Sequence, residues 1–219
     1  MKIIVTGATG LVGAEVIREA IKNSAITQVV AIVRKPLSIQ HEKLKTILHQ
    51  DYLNYDALKN EFKTADACLW CLGISQTQVS KEQYQIITYD YTIAAAKALL
   101  EVQPNICFVF LSGLGADTTE QSKTIFARVK GKAENGLMKM GFKKLFIVRP
   151  AGIRPINKNP NTAFSNKLMI PFFPLFELIT PNFVISSVQL AKAMLHIALN
   201  GNEKTLIENV ELKKLGKMK

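Results

Sequence analysis

Lys2-Ile3-Ile4-Val5-Thr6 is a short apolar run that passes without a spacer into Gly7-Ala8-Thr9-Gly10-Leu11-Val12-Gly13, and this junction restricts the fold more than any other stretch. A buried strand that breaks into a glycine-rich turn and opens a helix has this pattern. Gly7 permits the tight turn, Gly10 lets bare main chain approach a pyrophosphate, and Gly13 lets the helix pack close to the strand. An anion held there meets unpaired N–H groups and the positive end of the helix macrodipole. The spacing of Val12, Val16 and Ala20, with Ile17 and Ile21, predicts a helix over Leu11 to Lys22. A second apolar run, Gln28 to Val33, then completes a βαβ unit.

Runs of strand length recur at Lys2 to Thr6, Gln28 to Arg34, Leu44 to His49, Asp66 to Leu72, Ile106 to Ser112 and Lys143 to Arg149, with helical patterns between most of them. That alternation predicts an α/β fold, a Rossmann-type doubly wound parallel sheet. Gly7, Arg34, Asp51, Gly73, Ser112 and Pro150 all fall at the carboxyl ends of these strands, where such sheets bind ligands. The 219 residues suit one domain, with a dinucleotide-binding core over 1–150 and a substrate-side extension over 151–219. A domain of this size needs no disulfide or metal staple. After Arg149 the character changes: Pro150, Pro155, Pro160, Pro171, Pro174 and Pro181 break the chain into loops and short helices. Regularity returns in a helix predicted over Ser187 to Leu199 and capped by Asn200-Gly201. Between them, Phe164, Phe172, Phe173, Phe176 and Phe183, with Leu168, Met169 and Ile170, suit a lid, a membrane-surface or dimer contact, or simple core packing.

No run approaches the ~18 apolar residues of a membrane span, and the first apolar stretch ends too early for a signal-peptide core, so a cytoplasmic protein is expected. Cys68 and Cys71 form a C-x-x-C, but on a strand they point to opposite faces and act as buried packing thiols. His41, His49 and His196 lack metal-ligand spacing. The formal charge is +11, and residues 120–149 hold eight cations (Lys123, Arg128, Lys130, Lys132, Lys139, Lys143, Lys144, Arg149) against Glu120 and Glu134. Such a segment either solubilises a helix face or attracts a phosphorylated cofactor, an acidic substrate or an anionic surface. Aromatic residues do not interleave with the charges, so nucleic acid is not an expected partner.

Dinucleotide folds choose their cofactor at the end of the second strand, where an acidic residue accepts from the ribose 2′-OH of NAD and a basic one receives the 2′-phosphate of NADP. Here that strand runs into Arg34-Lys35-Pro36, and no acidic residue occurs between Glu19 and Glu42. The reading is NADP(H) in preference, with NAD(H) as the alternative.

Taken together, Thr6 to Gly13, Cys71-Leu72-Gly73, Leu111-Ser112, Val129-Lys130-Gly131-Lys132-Ala133-Glu134 and Val148-Arg149-Pro150-Ala151-Gly152 resemble the atypical short-chain dehydrogenase/reductase superfamily, most of all its small Tat-interacting-protein-like members. The resemblance spans nearly the whole chain. It implies that Asp51, Tyr52 and Leu53 border the adenine, and that Cys71, Leu72 and Gly73 lie against the adenosine ribose. It gives Ser112 the role of positioning a substrate carbonyl. It further implies that Lys130 holds the nicotinamide ribose and lowers a neighbouring tyrosine's pKa, and that Pro150, Ala151, Gly152 and Ile153 form the loop beside the carboxamide.

The implied catalytic tyrosine lies four residues before the lysine, and that position is Phe126. Phenylalanine has no proton to give, and losing a general acid costs roughly 10²- to 10⁴-fold. Three readings follow. The first is an NADPH-dependent oxidoreductase or epimerase-type enzyme on a small carbonyl or sugar-type substrate, its acid supplied by Tyr84, Tyr89, Tyr91 or a water on Ser112. Those tyrosines otherwise pack on a helix with the hydroxyl at the surface. The second is an NADP(H)-binding sensor or protein-interaction module, which needs no acid. The third is a membrane-peripheral or nucleic-acid contact through the basic 120–149 segment. Monomer or homodimer is expected.

Overall fold

A computed structural model describes residues 1–157 and 179–218. Six strands form where the apolar runs predict them: β1 (Lys2–Thr6), β2 (Gln28–Val33), β3 (Leu44–Leu48), β4 (Ala67–Trp70), β5 (Cys107–Leu111) and β6 (Lys144–Arg149). Five of the six are one to three residues shorter than the run, trimmed at one or both ends. Helices α1 (Leu11–Lys22), α2 (Lys59–Lys63), α3 (Lys81–Gln85), α4 (Tyr91–Val102) and α5 (Ile125–Met138) connect them, and a π-helical turn at Ile86–Asp90 joins α3 to α4.

Among the described residues the main sheet has seven parallel strands in the order β3-β2-β1-β4-β5-β6-β9, where β9 is Leu206–Glu208. The chain winds outward from β1 through β2 to β3, then crosses back to β4 and winds the other way. This is the doubly wound, Rossmann-type arrangement, in a single domain. The reversal lies between β1 and β4, which pair directly, and Gly7 follows β1 at that point. Central strands are buried on both faces, whereas the edge strand β3 has two of its five residues only partly buried and the rest exposed.

Alternation along the strands divides the core into two layers. Ile3, Val5, Val29, Ala31, Leu69, Val109 and Val148 pack against Val16, Ile17 and Ala20 of α1 and against Leu190, Ala191, Met194 and Ile197 of α6 (Ser187–Asn200). On the other face Ile4, Val30, Trp70, Phe108, Phe110 and Ile147 meet Phe62 of α2, Ala95, Ala96 and Leu99 of α4, and Ala133 and Leu137 of α5.

Of the described residues beyond 150, one short strand joins the main sheet. Leu206–Glu208 forms β9 beside β6, α7 (Asn209–Leu215) follows, and Gly152–Arg154 (β7) pairs with Val184–Ser186 (β8) in a small parallel sheet. The helix predicted at Ser187 is α6, ended by Gly201 at φ +75°. Of the aromatic segment, Phe164, Leu168, Met169, Ile170, Phe172, Phe173 and Phe176 lie outside the described residues, and Phe183 is exposed. Among the described residues no helix is long and apolar enough to cross a membrane.

Candidate functional site

The site begins at the turn after β1. Gly7 has φ +65°, and a Cβ there would lie 2.4 Å from the Cys71 carbonyl oxygen. Gly13 presses α1 onto the turn so closely that a Cβ would lie 2.3 Å from the Gly7 oxygen. Gly10 differs: the one atom near its would-be Cβ is the Gly7 oxygen at 3.1 Å, so the remaining space around it is open. Gly10 is also the N-cap of α1, with no side-chain cap and no acidic residue in the first turn. Gly10 thus brings no side chain of its own to the amides of Leu11, Val12 and Gly13, which stand at the helix N-terminus where an anion is favoured. The side chains of Ala8 and Val12 are buried in the core, and that of Thr9 is exposed, so the turn offers main chain to a ligand.

The next strand ends extend this edge. The Thr6 hydroxyl oxygen accepts the Leu72 amide at 3.3 Å, holding the Cys71–Gly73 segment against the turn, and the space around Gly73 is open. Arg34 and Lys35 follow β2, are exposed, and take part in no ion pair among the described residues. The Gln50 amide donates to the Arg34 carbonyl at 2.8 Å. The Asp51 carboxylate closes a local turn on the Leu53 amide at 2.9 Å. Tyr52 is buried beneath, its hydroxyl donating to the Ile32 carbonyl at 3.2 Å, and burial pushes its pKa up to about 12. Leu53 is exposed. Thus the residues expected at the pyrophosphate, the 2′ position and the adenine share one edge of the sheet.

The other end of the site is built by β5, α5 and β6. Lys130 Nζ, almost fully buried, donates to the Leu111 carbonyl at 2.8 Å and lies 4.7 Å from the centre of the Phe110 ring. Burial pushes its pKa down to about 8, against the opposing pull of Glu134 and Cys71. Ser112 is buried too, and its hydroxyl donates to Glu134. Glu134 is wholly buried, and Arg149 grips it through Nε at 2.9 Å and through Nη2. A serine has one proton. Given to a carboxylate already clamped by a guanidinium, it leaves Ser112 Oγ as a hydrogen-bond acceptor towards any ligand. The expectation that Ser112 steadies a carbonyl by donating to it therefore meets a competing acceptor in the fold. The sequence assigned no role to Glu134 or Arg149; the four-residue step from Lys130 to Glu134, one turn on the same helix face, points to Glu134, but no spacing points to Arg149.

Phe126 stands one turn before Lys130, its ring against Gly113: a Cβ on Gly113 would lie 2.8 Å from Cζ. The three tyrosines named as alternative acids stand in different surroundings. Tyr84 is buried rather than surface-facing. Tyr89 lies beneath Lys132 Nζ at 4.4 Å on another part of α5, and Tyr91 packs 5.5 Å from Tyr52 towards the adenine end. Among the described residues no tyrosine hydroxyl is hydrogen-bonded to Ser112 or Lys130.

Two of the eight cations in 120–149 are spent inside the fold, Lys130 on Leu111 and Arg149 on Glu134, so the segment is less of a solvent face than its charge count suggests. The three cysteines are free and buried, with Cys71 pushed up to about 12 and Cys107 to about 11 by burial, which leaves them unreactive as thiolates.

The depressed Lys130 pKa has a signed consequence for stability. Between about pH 8 and pH 10.5 the unfolded lysine holds a proton that the folded one does not, so its contribution favours folding increasingly as pH rises through that window. Buried cysteines and tyrosines oppose the trend, so the difference between wild type and Lys130→Met is the quantity to follow. Melts from pH 7.5 to 10 are expected to show that difference moving in favour of wild type, and a difference independent of pH would contradict it.

Residues 7–167 match the model of a family described as NAD(P)H-binding. The chain is 28% identical over 157 residues to the protein FMP52, mitochondrial, of Candida albicans, which covers 70% of this chain and 67% of that protein. It is 23% identical over 222 residues to the rat protein HTATIP2, covering 98% and 89% of the two chains. Among solved structures, the UDP-glucuronic acid 4-epimerase of Bacillus cereus in complex with NAD superposes with a TM-score of 0.68 at 16% identity, over 100% of this chain and 85% of the epimerase. At that identity the likeness concerns the fold alone.

Proposed function

Because the chain belongs to the NAD(P)H-binding family, we propose that it holds NADP(H) in preference to NAD(H) along the carboxyl edge of its sheet, and that it is an oxidoreductase or epimerase-type enzyme acting on a small carbonyl or sugar-type molecule. The observation that carries the cofactor choice is the exposed pair Arg34 and Lys35 at the end of β2, without a competing carboxylate partner among the described residues. A guanidinium receives a phosphate in two-pronged fashion, which a ribose hydroxyl cannot match.

When bound, the nicotinamide ring supplies a hydride donor or acceptor. The chain supplies the rest. Main-chain amides at the start of α1 take the pyrophosphate, and Gly10 leaves room for it. Lys130, mostly charged at neutral pH, offers N–H groups at the ring end, and Ser112 Oγ accepts there. With Phe126 apolar and the Ser112 proton on Glu134, Lys130 is the proton-donating side chain in this arrangement.

The same facts favour a second reading, an NADP(H)-binding sensor or interaction module, in which the ring is bound and not turned over. Monitoring NADPH absorbance against a panel of carbonyl compounds and sugar nucleotides separates the two. Consumption that disappears in Lys130→Ala supports the enzyme; tight binding with no consumption supports the sensor. Titration tests the cofactor choice. Arg34→Ala is expected to weaken NADPH binding about 10- to 100-fold, the worth of charge-assisted hydrogen bonds, and to leave NADH within twofold. Equal losses for both nucleotides would remove Arg34 from the 2′ position. A cytoplasmic location belongs to this reading, and co-fractionation with mitochondria, where the name of the Candida relative places it, would overturn that part.

A further inference from the structure

We propose that Asn209 is a positioning residue for the nicotinamide half of the dinucleotide, an assignment that rests on the cofactor reading above. Asn209 is the first residue of α7, directly after the carboxyl end of β9, and its side chain is buried. Its Oδ1 accepts the Ala151 amide at 3.0 Å, and its Nδ2 donates to the Asn182 carbonyl at 2.6 Å. Only one orientation of the amide satisfies both partners, so the donor and acceptor ends are fixed by the network. One side chain thus ties the residue before β7 to the stretch before β8, at the loop Pro150–Ile153. Two further bonds hold that loop: the Gly152 amide donates to Phe183 at 2.9 Å, and Pro150 accepts the Leu114 amide at 2.8 Å from the loop that follows Ser112. The preceding residue, Glu208, lies 3.5 Å from Arg149, which clamps Glu134. Asparagine is a poor helix former and fills no cap here, since α7 is capped at Glu208 without a side-chain bond. What it does instead is fix the height of the 150–153 loop above the sheet edge.

A purely structural role would weaken every ligand alike, whereas a role at the ring end would spare a ligand that lacks the ring. The test is therefore the tighter-binding of NADPH and NADH, compared with its ringless half, 2′,5′-ADP or ADP, in wild type, Asn209→Leu and Asn209→Asp. Leucine loses both bonds at similar volume; aspartate keeps the acceptor for Ala151 and loses the donor to Asn182. Asn209→Leu is expected to weaken the full dinucleotide about tenfold, in line with leaving a buried amide unpaired, and Asn209→Asp by less, with the ringless half unchanged within twofold in both. If the leucine variant does not fold, the aspartate variant carries the same comparison. Equal losses for both ligands, no loss for either, or a wild type that binds the full dinucleotide no tighter than its half would each overturn the inference while leaving the cofactor reading in place. A wild type that binds neither dinucleotide overturns both.

Discussion

Glu134→Ala is expected to lower the unfolding temperature by about 6–12 °C, more than any other single change at this site outside the glycines. Glu134 is wholly buried and accepts from Ser112 and from two nitrogens of Arg149. Removing it strands a guanidinium whose side chain is only 14% exposed, with Glu208 at 3.5 Å as its remaining partner. Breaking one side of a buried ion pair costs about 3–5 kcal/mol, and the partial exposure of Arg149 puts the cost near the lower bound. In a domain of this size about 1 kcal/mol corresponds to roughly 2–4 °C. Glu134→Ala combined with Arg149→Met should recover much of the loss, because the orphaned charge then disappears as well. Calorimetric melts of the single and double variants decide the matter, and a single variant within about 2 °C of wild type would show that the pair contributes little.

That cluster also marks where sequence stops being informative. The turn after β1 was legible because Gly7, Gly10 and Gly13 answer to backbone geometry alone, and the central strands because burial on both faces writes a continuous apolar run. Lys130 and Glu134 four residues apart read like a surface helix pair, and nothing in the sequence says that this face of α5 turns inward to meet Arg149 from another strand. The short strands β7, β8 and β9 were illegible for a different reason. Three residues are too few for a period to show, and β9 is a strand only because β6 lies beside it. Asn209, whose partners Ala151 and Asn182 are 58 and 27 residues away, carries no local signal at all. Tyr84 shows the opposite error: its polar hydroxyl suggested an accessible candidate, and the fold buries it.

The second large effect separates the fold of the glycine turn from its use. Gly13→Ala would put a methyl carbon 2.3 Å from the Gly7 carbonyl oxygen, backbone that cannot swing aside, so α1 must lift from the turn. That variant should lose stability by about 1–3 kcal/mol and bind poorly because the turn itself is displaced. Gly10 adopts φ −80°, which alanine tolerates, and the Gly7 oxygen 3.1 Å from its added methyl needs to give by only a few tenths of an ångström. Gly10→Ala should therefore melt close to wild type. Its methyl nevertheless occupies the approach to the amides of Leu11, Val12 and Gly13, each of which would otherwise make a charge-assisted bond to the pyrophosphate. Losing two such bonds is worth about 3 kcal/mol at the least, so dinucleotide affinity should fall by about 100-fold or more while the fold stands. Calorimetric titration alongside the melts reads both quantities on one sample. If Gly10→Ala melts like wild type and binds dinucleotide as tightly, the pyrophosphate does not rest on the first turn of α1, and the placement of every other group along the edge fails with it.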